Sequence, residues 1–204
     1  MSIPAPKWPE HDPRADERLV MFNVPWSGFE AQLELRGERR VPRVAYLDGA
    51  LELMSPSINH EGIAANIGSL VVTYALERGI DLQPYRSWLL KREVKKAGVE
   101  PDECFVFGEV HGPELPDLAI EVIWTHGGID KLEIYRRLGV SEVWFWRKGA
   151  IAIFALRDGK YEEVPRSVHL PDLDLPQLLS FAERIPVTQA IRAYRDALRA
   201  VDAK

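Results

Sequence analysis

Residues 115–146 read LPDLAIEVIWTHGGIDKLEIYRRLGVSEVWFW, and this stretch sets the architecture of the chain. Leu118 to Ile123 are almost all apolar and partly β-branched, which predicts a strand covered on both faces. A glycine loop, a short helix and a second strand follow. Side chains alternate along a strand, so Asp117, Ala119, Glu121 and Ile123 share one face and Leu118, Ile120 and Val122 the other. Glu121 therefore sits in the middle of a covered strand. A buried carboxylate with no partner costs several kcal/mol or takes up a proton. Its position calls for a cation, a hydrogen-bond network or a cleft, and a salt bridge to a neighbouring base satisfies the requirement as well as a functional site does.

Upstream, EPDECFVF predicts a strand over 102–107 that begins on an acid just after a proline. Pairing of this strand with the Glu121 strand places Asp102 across from Glu121. Two carboxylates brought together offer oxygen-only ligands, which suit Mg²⁺ or Mn²⁺ with water and phosphate completing the shell. Between 82 and 96, a further strand over 82–90 leads into Arg86, Lys91, Arg92, Lys95 and Lys96, the most basic part of the sequence. Such a run is a solvated face or a phosphate track.

Further toward the N-terminus, RVAYLDGALELM alternates about Asp48-Gly49, a dipeptide suited to a type I′ turn, and predicts a hairpin over 42–54 that starts the sheet. Asn59 can cap a helix from His60 to Arg78, ended by Gly79, with Ile63, Ile67, Leu70, Val71 and Tyr74 on one stripe. Glu61 lies in its first turn, where the helix dipole favours an acid in any case. Ser27 and Glu30 have capping-box spacing ahead of a short helix over 28–36. Residues 1–18 read as a flexible tail, and 19–204 as one domain. Toward the C-terminus, 150–156 and 160–164 alternate about Asp158-Gly159 as a second hairpin. Residues 188–201 form an amphipathic helix with Thr188 as a candidate cap.

Composition limits the function classes. The 204 residues are 46% apolar with six Trp, which suits one globular core. No apolar run reaches the roughly 20 residues needed to span a membrane, and the Pro-rich start has no apolar signal core. The expectation is a cytoplasmic protein with no membrane partner. Cys104 is the single cysteine, which excludes an internal disulfide and a cysteine-rich zinc site. The net charge of −5 gives no global attraction to nucleic acid, so a nucleic-acid partner requires a local basic patch or metal ions.

The order of these motifs resembles a known family. Proline and aspartate, a gap, then an acid inside an apolar strand are similar to the PD-(D/E)xK nuclease superfamily. YLDGALELMSPSINHEG, EPDE, PDLAIEV and KLEIYRRLGVSEVWFW more closely resemble the Uma-type restriction endonuclease family, over roughly residues 28–165. The resemblance implies an α/β (α+β) fold: a restriction-endonuclease-like core with a mixed central β-sheet flanked by helices, extended by an N-terminal helix and hairpin. It implies a metal-dependent endonuclease acting on DNA, with Mg²⁺ or Mn²⁺ as cofactor. Asp102, Glu121 and Glu61 match the metal-binding acids. The lysine expected two residues after Glu121 is replaced by Ile123, and Lys131 matches a lysine the family carries on the next helix.

On this reading Glu61, Asp102, Glu121 and Lys131 form the catalytic set, with Asp117 a candidate neighbour. Related nucleases that cut both strands act as dimers, so a homodimer is expected, using Val143–Trp146 and the C-terminal helix as the contact. The alternative is a nuclease fold without catalysis that binds nucleic acid, or an interaction module presenting Trp124, Trp146 and Arg147 to a protein.

Overall fold

The computed structural model describes residues 12–124 and 128–202. In chain order the elements are β1 (Glu17–Met21), α1 (Trp26–Arg36), β2 (Arg43–Leu47), β3 (Ala50–Ser55), α2 (Ile58–Arg78), β4 (Leu82–Pro84), β5 (Leu90–Arg92), a single 3-10 turn (Glu93–Lys95), β6 (Ala97–Val99), β7 (Glu103–Phe107), β8 (Leu118–Val122), α3 (Lys131–Leu138), β9 (Glu142–Arg147), β10 (Ala150–Arg157), β11 (Lys160–Val164), α4 (Leu175–Ala182) and α5 (Val187–Asp202).

The strands form two sheets. One is six-stranded, ordered β11-β10-β9-β8-β7-β4, and the other five-stranded, ordered β1-β3-β2-β6-β5. The six-stranded sheet is mixed: β8 runs parallel to β9, joined through α3 as parallel neighbours require, and antiparallel to β7. All five residues of β8 are buried, as a central strand covered on both faces should be.

Three apolar layers explain that burial. Leu118, Ile120 and Val122 of β8 face a cluster built with Ile63, Ile67, Leu70 and Val71 of α2 and with residues of α4 and α5. On the opposite side, Ala119 meets Ile134, Tyr135 and Leu138 of α3 and Ala45, Ala97 and Val99 of the five-stranded sheet. Beyond that sheet, α1 contributes Trp26 and Phe29 to a third cluster with Val44, Tyr46 and Leu51. At about 25 cal/mol per Å² of apolar surface buried, this layering is what holds a glutamate-bearing strand at the centre of the molecule.

Several elements differ from the sequence reading. The 43–55 hairpin does not start the central sheet; with β1, β5 and β6 it makes the separate five-stranded sheet. The expected long strand over 82–90 is two short ones in different sheets, because Arg86 takes a left-handed conformation (φ 55°) that interrupts the extended chain. Part of the assumed 1–18 tail is ordered. Glu17 and Arg18 begin β1 against β3, and Asp16 accepts the Ser57 backbone N–H at 2.8 Å. α2 is capped by Ser57 rather than Asn59, its side chain accepting the His60 N–H at 3.2 Å. α1 begins after Pro25 and uses no side-chain cap, so the Ser27 capping-box spacing has no structural role. Asp48 and Gly49 both have positive φ (46° and 89°), as a type I′ turn needs.

The segment expected to make a dimer contact is inside the core. Val143, Trp144 and Trp146 are buried in β9, between β8 and β10. Trp146 is therefore not a presented surface either; it stacks on the half-exposed Trp124 with ring centroids 5.8 Å apart.

Candidate active site

Asp102 is positioned one residue before β7. Pairing of Glu103 with Ile120 puts it across from Glu121 in the antiparallel register. Its side chain is buried and fully engaged. Arg43, the first residue of β2, donates through Nη1 to Asp102 Oδ1, and the Val122 backbone N–H donates to Oδ2 at 2.6 Å. His60 Nε2 lies 3.0 Å from the same Oδ2 without the angle of a hydrogen bond. The other ring nitrogen of His60 is 3.1 Å from Asp16 Oδ2, so a fully buried imidazole stands between two carboxylates. Burial opposes ionisation of Asp16, but hydrogen bonds from His60 and from the Ser57 amide prevail and bring its pKa to about 2.

Glu61, in the first turn of α2, is brought to the same cation: Arg43 Nη2 donates to Glu61 Oε1 at 2.6 Å. One guanidinium thus bridges Glu61 and Asp102, the fork geometry for which arginine is suited.

Glu121 is satisfied from α3. Lys131 Nζ donates to its Oε2 at 2.5 Å, and the buried Tyr135 hydroxyl donates to its Oε1. Lys131 and Tyr135 are four residues apart on one helix, so both reach the same carboxylate from one face. Asp130 caps that helix by accepting the Glu133 N–H at 3.0 Å, which fixes its first turn beside β8. Burial and the adjacent Glu121 charge raise the Tyr135 pKa well above the ordinary phenol value, keeping it a donor. Asp117 is directed elsewhere: it accepts the Phe107 backbone N–H at 2.8 Å and closes the β7–β8 connection.

Two cavities flank this arrangement. One, of about 290 Å³, is lined by Arg40, Arg43, Glu61, Arg86, Asp102 and Glu103 among others. The other, of about 230 Å³, is lined by Glu52, Glu121, Ile123, Asp130, Lys131 and Phe145 among others. Asp102 and Glu61 are thus brought together, Glu121 and Lys131 are brought together, and the Val122 amide ties the first group to the strand carrying the second.

The three acids do not converge as a ready ligand cluster: among the described residues, no three His, Cys, Asp or Glu side chains could together hold a metal ion. Asp102 and Glu121, both buried, have instead each closed onto a base, Arg43 and Lys131. The donors are still hard carboxylate oxygens, the kind Mg²⁺ and Mn²⁺ take, so the set fits such a cation chemically. Binding would proceed in competition with Arg43 and Lys131.

Sequence reasoning missed Arg43, Tyr135, Glu52 and Glu103. Tyr135 had a usable signal, its i+4 spacing from Lys131. Glu52 did as well, as an acid between Leu51 and Leu53 in an alternating strand; it is buried, accepts the Ile129 N–H at 3.1 Å and lies 3.5 Å from Arg18 Nε. Arg43 had none, because its partners are 18 and 59 residues away.

Glu103 packs its carboxyl against α2 at Gly68, where an added Cβ would approach it to 2.9 Å. Desolvation raises its pKa to about 7, only partly offset by Arg86 and Arg43. Between the ordinary value of 4.5 and about 7, the folded protein holds a proton that the unfolded chain has released. Stability should therefore fall as pH rises through that window, by about 3 kcal/mol in all, and then level off. Glu103→Gln is expected to remove this slope in denaturation curves measured from pH 4.5 to 8, and an unchanged slope would refute the assignment.

Comparison with known proteins adds two findings. The Uma2 family, described as "Putative restriction endonuclease", matches residues 26–188. Among solved structures, one described as "a putative nuclease belonging to DUF820" from Anabaena variabilis is similar at 14% identity and a TM-score of 0.49, covering 84% of this chain and 99% of that one. No curated protein matches the sequence.

Proposed function

The chain belongs to the Uma2 family, and from that premise we propose that it is a metal-dependent endonuclease hydrolysing the phosphodiester bonds of DNA. The observation that carries the reading is the pair of buried acids, Asp102 just ahead of β7 and Glu121 in β8, which the strand register sets opposite one another, with the Lys131 ammonium on Glu121. Buried acids set beside a lysine are uncommon in a core and mark candidate functional positions.

Asp102, Glu121 and Glu61 are the residues that would hold Mg²⁺ or Mn²⁺. That ion would supply Lewis-acid polarisation of the phosphodiester and acidification of an attacking water. The roles of the side chains follow from their contacts. Tyr135 fixes one oxygen of Glu121 and so sets the direction of the other. The Val122 amide aims Asp102. Lys131, which sits on Glu121, would offer its charge to the developing negative oxygens of the phosphorane if a metal ion took its place there, and this is the function that Ile123 lacks. Arg43, which bridges Asp102 and Glu61, would keep its bond to Glu61 if a metal ion took its place on Asp102.

The homodimer belongs to the same proposal, with its contact away from β9. Light scattering at micromolar concentration should give twice the mass of one chain, and a monomer would remove this part of it.

The test of the function is a titration with metal. Mn²⁺ or Mg²⁺ is expected to raise the melting temperature and to support cleavage of plasmid DNA, while Ca²⁺ binds without turnover. Absence of any calorimetric signal at millimolar metal would rule out the catalytic reading. Metal binding without cleavage would favour the second reading, a non-cutting nuclease fold, which the ready-made ion pairs of Asp102 and Glu121 also suit.

A further inference from the structure

Although the chain carries a net charge of −5, arginines gather at one place on it. The cavity beside Asp102 shares Arg40, Arg86 and Ser87 with a second cavity of about 230 Å³ that opens further out, lined also by Arg36, Glu38, Arg39 and Glu100. Two of the five guanidinium groups involved are committed inward. Arg36 forms a two-pronged pair with Glu100 at 2.6 and 2.7 Å, and Arg43 bridges Asp102 and Glu61.

The other three line the outer cavity. Arg39 spends Nε and Nη2 on the carbonyls of Arg36 and Leu35, at 3.1 and 3.3 Å, which fixes its position at the end of α1 while keeping its charge. Arg40 is exposed and makes no hydrogen bond or ion pair among the described residues. Arg86 makes a long ion pair with Glu103, Nη1 to Oε1 at 3.7 Å, while its side chain stays 65% exposed. Its backbone is held in the left-handed region (φ 55°), with its carbonyl accepting from the Cys104 thiol at 3.0 Å and from the Trp88 N–H at 2.9 Å. Once the Arg36–Glu100 pair is set aside, the outer cavity is lined by Arg39, Arg40 and Arg86 and by the carboxylate of Glu38, with Arg86 also paired to Glu103 of the inner cavity. Guanidinium forks together with a hydroxyl, that of Ser87, are a phosphate-recognising set.

We infer that these two adjoining cavities form a track for the phosphodiester backbone of the DNA strand, with Arg39, Arg40, Arg86 and Ser87 holding phosphates that flank the one at Asp102. The inference rests on the nuclease reading for the identity of the ligand, but it concerns binding and is tested without turnover.

The probe is a fluorescein-labelled DNA duplex, its affinity for the full chain followed by anisotropy in EDTA across a salt series. Arg40→Gln with Arg86→Gln is expected to weaken binding and to reduce the slope of log affinity against log salt by about two, since each lost phosphate contact removes about 0.9. A control of equal charge change on the distal hairpins, Lys148→Gln with Lys160→Gln, is expected to retain the full slope. Equal slopes for the two double variants, or no salt-dependent binding by the wild type, would overturn the track. Displacement of the probe by a deoxynucleoside monophosphate at equal phosphate concentration would also overturn it, by making the cavity a free-phosphate pocket. Binding with the expected slopes but without cleavage in Mg²⁺ or Mn²⁺ would uphold the track and count against the nuclease reading alone.

Discussion

Glu121→Gln is expected to lower DNA cleavage by at least about 100-fold while leaving a folded protein, the scale seen when a group stabilising transition-state charge is lost. The substitution keeps the shape of the side chain and an acceptor for the Tyr135 hydroxyl, but removes the negative charge that a metal ion needs. It also leaves Lys131 without its partner in a site where that lysine is only 16% exposed. A stability loss of about 1–3 kcal/mol in the metal-free protein should accompany the loss of activity, moderated because a lysine in a helix's first turn can swing to water. Stability alone therefore does not separate a catalytic Glu121 from a structural one. Lys131→Ala separates them. If Lys131 acts on the phosphate, cleavage falls while metal affinity holds or rises, because the ion no longer competes with an ammonium for Glu121. Unchanged cleavage in Lys131→Ala would reduce the pair to a structural salt bridge.

The largest expected effect on folding is at Arg43. Its guanidinium is the cationic partner of Asp102, a side chain with no exposure to solvent. Arg43→Met should destabilise the protein by about 3–5 kcal/mol, the usual result of leaving a buried charge uncompensated. Adding Asp102→Asn should recover much of the loss, because the uncompensated charge is then gone and the Val122 N–H still has an oxygen to donate to. Chemical denaturation of the two variants measures this coupling. A loss below about 1 kcal/mol for Arg43→Met would mean that Asp102 is served well enough by the Val122 amide and His60.

These effects indicate which parts of the site could be read from sequence. The β8–α3–β9 unit was legible because its apolar run, glycine loop and amphipathic helix are local patterns, and the matching of Asp102 to Glu121 follows from strand pairing once both strands are recognised. Lys131 was legible only through family resemblance, since a lysine on a helix is otherwise unremarkable in composition. The ion pairing was not legible. Arg43 opens a strand of the other sheet, and nothing local to residue 43 indicates that it will meet Asp102. The division into two sheets was hidden for a related reason: β4 and β5 are three residues each, too short to show alternation, and the turn at Arg86 that separates them uses a residue with no intrinsic preference for positive φ. The ordering of Asp16 depends on a partner, His60, 44 residues away.

The central claim is that Asp102 and Glu121 form a metal-dependent cleavage centre. Nicking and linearisation of supercoiled plasmid DNA by wild type and by Glu121→Gln, each with Mn²⁺ and with EDTA, tests it most directly. The expected result is cleavage by the wild type with Mn²⁺ alone, abolished by EDTA and by the substitution in a protein whose circular dichroism is unchanged. Cleavage that survives EDTA, or that Glu121→Gln retains at the wild-type rate, would contradict it.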